Sequence, residues 1–135
     1  MAIDFGVNYF AVIVAAIAGG VIGFLYYGVA GLSDRLARMD GRAPRGGPPS
    51  PPQAAIGMIV GLVNAWVLAL LSLNLGASSI ADAILLGVLV WVGGAAAFKA
   101  AQVAFEGRSW NAWALAGLHD LIVEIVAAAI VTVWR

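Results

Sequence analysis

The sequence lacks cysteine, has a single histidine, and contains few charged residues. The absence of cysteine excludes disulfides, thiolate metal sites and cysteine nucleophiles. One histidine argues against a zinc site built from protein ligands alone. Seven basic and seven acidic residues give a net charge of zero, which indicates no nucleic-acid partner. The sequence therefore predicts no catalytic residues, no metal, no cofactor and no enzyme activity.

The chain also lacks a basic N-terminal region. Its first residues, MAIDFGVN, place an acid where a signal peptide would carry basic residues, so we expect the first apolar segment to remain as a membrane anchor. Of the 135 residues, 63% are hydrophobic and 10% are charged. Soluble domains are about 45–50% apolar and about 25% charged, so this composition indicates a protein that lies in lipid.

Four apolar segments are long enough to cross a bilayer as helices, at about 1.5 Å rise per residue. The sequence predicts one all-α domain over residues 1–135, with transmembrane helices over about 7–31, 54–76, 80–104 and 111–134. A proline- and arginine-rich loop over 32–53 separates the first two. In it, Ser33 or Asp34 is expected to cap a short helical turn through Met39, and the PPSPP run predicts an extended linker. The short connections that follow predict an antiparallel bundle.

Basic residues predict the orientation of the bundle. Six of the seven fall on one side of the membrane, and only Arg135 falls on the other. The positive-inside rule then places the arginine-rich loop in the cytoplasm and both termini on the non-cytoplasmic side.

Small residues at helical spacing predict close contacts between helices. Gly19 and Gly23 form such a pair in the first segment, and Gly57 and Gly61 form another in the second. In the third segment, Gly87 and the pair at 93–94 also favour close packing.

Five polar residues fall inside the predicted spans: Asn64, Lys99, His119, Asp120 and Glu124. Counted from the cytoplasmic helix ends at about 1.5 Å per residue, Asp120 lies about 14 Å deep, Asn64 about 15 Å and Lys99 about 8 Å. A lysine side chain can close the remaining gap, so Lys99 and Asp120 are a plausible pair. Asp120 and Glu124 share a helix face, and we expect that they are not both charged. His119 points about 100° away from Asp120, toward a different neighbour or a subunit contact.

Three interpretations of these residues are open. They form an internal cluster that fixes helix packing, or a path for protons or cations, or a site that a partner protein or lipid completes. The structural interpretation is favoured. We therefore predict an accessory or structural membrane subunit, with a small oligomeric transporter or channel as the alternative. Expected partners are the lipid bilayer and either further copies of the chain or a larger membrane complex.

Two stretches resemble a known family. VNYFAV at Val7–Val12 leads to GFLYY at Gly23–Tyr27, and FEGR at Phe105–Arg108 is followed by AGLH at Ala116–His119. These motifs are similar to those of the domain of unknown function 1761 family of small bacterial inner-membrane proteins. The chain departs from the family pattern in lacking a tryptophan and a following proline near Tyr27, and in having Leu118 where a tyrosine is usual. The resemblance implies four membrane helices in a bacterial inner membrane, singles out His119 and the 105–108 connection, and implies no particular activity.

Overall fold

The computed structural model describes residues 2–135, which are helical apart from the connections and contain no strand. Four helices are long and apolar enough to cross a membrane: Tyr9–Val29, Pro51–Asn74, Ile80–Glu106 and Trp110–Val133. This confirms the predicted all-α class with four spans. The protein is a multi-pass membrane protein.

The first span consists of α1 (Tyr9–Gly23) and a π-helical segment, Phe24–Val29. It begins two residues later than predicted because Asn8 caps it, its side chain accepting hydrogen bonds from the backbone N–H groups of Phe10 and Ala11. A short amphipathic helix, α2 (Leu32–Met39), follows after Gly31, whose φ of 64° is a left-handed conformation that suits glycine.

The second span, α3 (Pro51–Asn74), begins inside the predicted linker. The predicted short helical turn through Met39 is confirmed by α2. The prediction of an extended PPSPP run was wrong at its end, because Pro51–Gln53 form the first turn of α3. Proline suits a first helical turn because its missing N–H would have no helical partner there. The Gln53 side chain also accepts a hydrogen bond from the Ser50 backbone N–H at 3.0 Å.

The third span comprises α4 (Ile80–Val90), a second π-helical segment (Trp91–Ala96) and α5 (Ala97–Glu106). Ser79 and Asp82 cap its start reciprocally, and Gly107 ends it at a φ of 68°. The last helix, α6 (Trp110–Val133), packs against each of the other three spans. Helix α6 is therefore the central element of the bundle.

The buried core is made mainly of alanine. It lies between α1, α3, α4 and α6, in the half of the bundle that contains the chain termini. Its most buried members are Ala11, Ala15, Ala65, Leu68, Ala83 and Ala128. Side chains this small let helix backbones approach closely, which favours association in lipid.

The four predicted packing glycines differ in their surroundings. A Cβ on Gly19 would lie 3.3 Å from the Val123 side chain, and a Cβ on Gly61 would lie 3.8 Å from the Ala16 carbonyl. A Cβ on Gly23 would lie 3.5 Å from His119 Nε2. Gly57, in contrast, is exposed, and no heavy atom of the described chain would lie within 4 Å of a Cβ placed there. Gly57 therefore makes no close contact with another helix of the described chain, and its packing role stays a prediction.

Among the glycines of the spans, Gly87 makes the closest contact with a neighbouring helix. A Cβ there would lie 2.9 Å from Ile125 Cα and 3.0 Å from the Glu124 carbonyl oxygen, both on the backbone of α6. The neighbouring glycines at 93 and 94 are exposed, with open space beside them in the part of the chain that the structure describes. Only Gly87 of these three thus acts as a close-packing residue between spans.

Candidate functional site: the polar cluster on helix α6

The polar cluster consists of the five intramembrane residues, Asn64, Lys99, His119, Asp120 and Glu124, and the structure arranges it in two groups along α6. In the first group, the Asp120 carboxylate accepts hydrogen bonds from Lys99 Nζ and from the His119 ring. Lys99 reaches it from the first turn of α5, a helix that packs against α6. The Lys99 side chain stays 42% exposed while Asp120 is 19% exposed, so the acid is the more buried partner. The Lys99–Asp120 ion pair is therefore only partly buried inside the bundle.

His119 bonds to its own neighbour in sequence. Its Nδ1 lies 3.0 Å from Asp120 Oδ1, although the two residues are about 100° apart around the helix. A carboxylate accepts hydrogen bonds, so Nδ1 is the donor, and in the neutral form of an imidazole the other nitrogen, here Nε2, presents a lone pair. The prediction that His119 reaches a neighbour other than Asp120 does not hold for Nδ1, because both side chains are long enough to meet beside the helix.

The rest of the His119 ring faces the first π-helical segment. The rings of Tyr26 and Tyr27 lie 5.4 Å and 4.6 Å from it, between centroids. Nε2 is buried next to Gly23 and has no hydrogen-bond partner among the described residues. Nε2 thus lies against α1 at Gly23, and the two tyrosines pack beside the ring.

The second group joins α3 to α6. Asn64 Nδ2 donates a hydrogen bond to Glu124 Oε2 at 3.2 Å, and both residues are half-buried. Asp120 and Glu124 are therefore held by different helices, although they lie one turn apart on α6. Each acid has a partner of its own from the same chain.

Three aromatic side chains add bonds that sequence reasoning did not find. The indole N–H groups of Trp91 and Trp113 donate to the carbonyl oxygens of Gly117 (2.8 Å) and Ala96 (3.2 Å), which joins the second π-helical segment to α6. The Tyr26 hydroxyl donates to the Leu115 carbonyl at 2.8 Å and joins the first π-helical segment to α6. A buried indole or phenol needs such an acceptor, and Trp91, in the middle of an apolar span, was the available signal.

The chemical capacity of this arrangement follows from its partners. The His119–Asp120 pair fixes an imidazole lone pair, and Lys99 neutralises the acid, which is a combination that can hold a proton. Among residues 2–135, no three His, Asp or Glu side chains come together as metal ligands. The lone pair faces a packed helix, so the arrangement as it stands fixes the contact of α6 with its neighbours.

Comparison with known proteins supports the resemblance drawn from the first and last thirds of the chain. Residues 10–132 match the model of a family described as Protein of unknown function (DUF1761). No curated protein and no solved structure matches the chain significantly. Because the family match covers nearly the whole chain, this protein belongs to the DUF1761 family.

Proposed function

We propose that the protein is a non-enzymatic accessory or structural subunit of a membrane assembly in a bacterial inner membrane. The observation that carries this proposal is that both intramembrane acids are already bonded within the chain, Asp120 by Lys99 and His119, and Glu124 by Asn64. A charged residue at membrane depth costs about 2.5–3.5 kcal/mol on insertion scales. Here that cost is offset by the hydrogen bonds that hold α6 to α3 and α5. The two acids thus have a structural role.

The proposed topology is an antiparallel bundle with both termini on the non-cytoplasmic side. Contacts between the termini support it: the Asp4 backbone N–H donates to Asn74 Oδ1 at 2.9 Å, and Asn8 Nδ2 donates to the Trp134 carbonyl at 3.3 Å. These bonds gather both termini and the end of α3 at one end of the bundle. Because that end carries only Arg135 among the seven basic residues, the positive-inside rule assigns it to the outer side.

Further copies of the chain or a larger membrane complex are the proposed partners. The first ten residues of α3, 51–60, are all exposed, and this stretch includes Gly57 with open space beside it. Small residues on an exposed membrane helix permit close approach of another helix. This face and the arginine-bearing loop are the contact surfaces in the proposal.

Purification in a gentle detergent from native membranes, followed by mass spectrometry of everything that accompanies the chain, tests the proposal directly. An accessory subunit is expected to come with a larger complex in fixed stoichiometry. A homo-oligomer without other proteins contradicts the subunit role in a larger complex and turns attention to transport.

The variant Glu124→Gln separates the structural role from transport. If Glu124 serves only to pack against Asn64, a glutamine there still offers an acceptor to the Asn64 amide. The change is then expected to alter the thermal stability of the protein and to leave proton flux into proteoliposomes unaffected. Glu106→Gln, at an exposed acid near the end of α5, is the matched control and is expected to change neither property. Loss of flux in Glu124→Gln with unchanged folding contradicts the structural role.

The alternative function is a small oligomeric transporter or channel. The observation that favours it is the arrangement of three protonatable groups within two turns of α6: His119, with an unpartnered lone pair among the described residues, then Asp120 and Glu124. Such a series resembles the chains of acids and histidines that carry protons through membranes. Proton flux that depends on both Asp120 and Glu124 distinguishes it from the accessory role.

A further inference from the structure

Helix α2 is held at the boundary of the membrane by the shortness of its connection. Only two residues, Ala30 and Gly31, separate it from the end of the first span at Val29. Two residues extend at most about 7 Å, so α2 cannot move away from the membrane surface. Its Leu36 side chain is buried, and α2 packs against the first π-helical segment and α6. Helix α2 therefore lies at the level of the lipid headgroups.

The acids of this region are occupied by other groups. Asp34 Oδ1 accepts hydrogen bonds from the backbone N–H groups of Arg45 (3.0 Å) and Gly46 (3.3 Å). Asp40 accepts from the Ser109 N–H at 3.2 Å and pairs with the Arg42 guanidinium at 3.0 Å. Both carboxylates are thus used in shaping the loop.

The two arginines of α2 remain without an acidic partner. Arg35 and Arg38 are three residues apart on the helix and both are exposed. Neither forms an ion pair with any carboxylate among residues 2–135. The structure therefore presents two adjacent unpaired guanidinium groups at headgroup level.

Exposed aromatic residues lie on the connection that is bonded to the end of α2. The Asp40–Ser109 bond joins the end of α2 to the connection between α5 and α6, where Phe105 is 90% and Trp110 is 57% exposed. Large aromatic side chains concentrate at the membrane–water interface. Their position supports headgroup depth for α2 as well.

We propose that α2 binds the headgroups of anionic phospholipids through Arg35 and Arg38. Guanidinium groups bind phosphate oxygens through paired hydrogen bonds, and basic segments next to a membrane helix are attracted to anionic lipids. The occupant is a lipid rather than a free phosphate, because α2 is tied to the end of a membrane span and bonded to a connection that exposes aromatic residues. The inference is independent of the accessory role and of which side of the membrane α2 occupies.

Native mass spectrometry of the purified full chain, titrated with phosphatidylglycerol or phosphatidylcholine, tests this site. Each basic residue near an anionic surface strengthens binding to that surface. The loss of two is expected to weaken phosphatidylglycerol binding about thirtyfold. We therefore expect the double variant Arg35→Gln/Arg38→Gln to bind phosphatidylglycerol no better than phosphatidylcholine. The variant Arg35→Lys/Arg38→Lys, which keeps the charge, is expected to retain most of the preference.

The matched control is Arg135→Gln, which removes an arginine at the opposite end of the bundle. It is expected to leave phosphatidylglycerol binding unchanged. An equal loss in this control, or a full preference in the Arg35→Gln/Arg38→Gln variant, overturns the proposal. Displacement of phosphatidylglycerol by inorganic phosphate at equal concentration overturns the lipid assignment in favour of a phosphate site.

Salt dependence gives a second measurement that needs no variant. Binding through exposed charges weakens as ionic strength rises, since salt screens them. We expect the preference of the unmodified protein for phosphatidylglycerol to fall steeply from low to high salt. A preference that salt does not change contradicts the proposal, whether or not the glutamine variant folds.

Discussion

The half of the bundle that contains the chain termini and the half that carries every arginine except Arg135 are held together by different interactions. In the terminal half, a core of mostly alanine side chains joins α1, α3, α4 and α6. In the arginine half, Tyr26, Trp91 and Lys99 donate hydrogen bonds to α6. Trp113 of α6 donates one in return to the second π-helical segment. Lipid supplies no hydrophobic drive between helices, so close packing and polar bonds are the two available means of association.

The two π-helical segments follow the same division. Phe24–Val29 and Trp91–Ala96 both lie in the arginine half, and each is hydrogen-bonded to α6. A π-helical segment inserts an extra residue into the turn and so rotates the side chains that follow it, often at functional sites. Here the segments direct Tyr26 and Trp91 at carbonyl oxygens of α6. The arginine half thus uses irregular helix geometry where the terminal half uses small side chains.

The largest effect is expected where the backbones of α4 and α6 meet. Gly87→Ala places a Cβ 2.9 Å from Ile125 Cα, and a backbone atom cannot move aside cheaply. Overpacking of this kind costs about 3 kcal/mol, at the upper end of the usual range. The free energy of unfolding, measured by denaturation in mixed micelles, is expected to fall by this amount.

The control for that measurement is Gly57→Ala on α3. No heavy atom of the described chain lies within 4 Å of the added Cβ, so stability of the monomer is expected to stay unchanged. Equal stability of Gly87→Ala and the unmodified protein contradicts the close contact. A loss confined to Gly57→Ala indicates instead that α3 packs on another copy.

The next effect is expected in the arginine half, at the Lys99–Asp120 pair. Asp120→Leu leaves Lys99 without a partner and His119 without its acceptor, at a cost of about 2 kcal/mol for the unpaired groups. Adding Lys99→Met removes the stranded charge, so the double variant is expected to be more stable than the sum of the single effects implies. A double-mutant cycle of unfolding free energies measures this coupling. Strict additivity shows that the two side chains act independently.

Sequence reasoning reached the four spans because a bilayer sets the length of a spanning helix, and apolar runs of that length are unambiguous. It also placed Lys99 near Asp120, since depth along two helices is a simple count of residues. The sequence did not predict which contacts form where these depend on the rotation of a helix about its own axis. Nothing in the spacing distinguishes Gly87 from Gly57, because the difference is which face meets α6. The π-helical segments contain no proline, and their side chains bond to residues far away in the sequence.

The smallest effect tests the one buried polar bond in the alanine core of the terminal half. Ser72 and Thr132 are 1% and 2% exposed, and their hydroxyl oxygens lie 2.9 Å apart between α3 and α6. A hydrogen bond between membrane helices contributes about 0.6 kcal/mol on average. Ser72→Ala and Thr132→Val are each expected to lower the unfolding free energy by about this much, and the double variant by less than the sum, because neither hydroxyl is then left unpaired. Ser78→Ala, at an exposed serine in the following turn, is expected to have no effect. If the single changes cost as much as breaking the Lys99–Asp120 pair, the terminal half also depends on polar bonds, and the contrast between the two halves disappears.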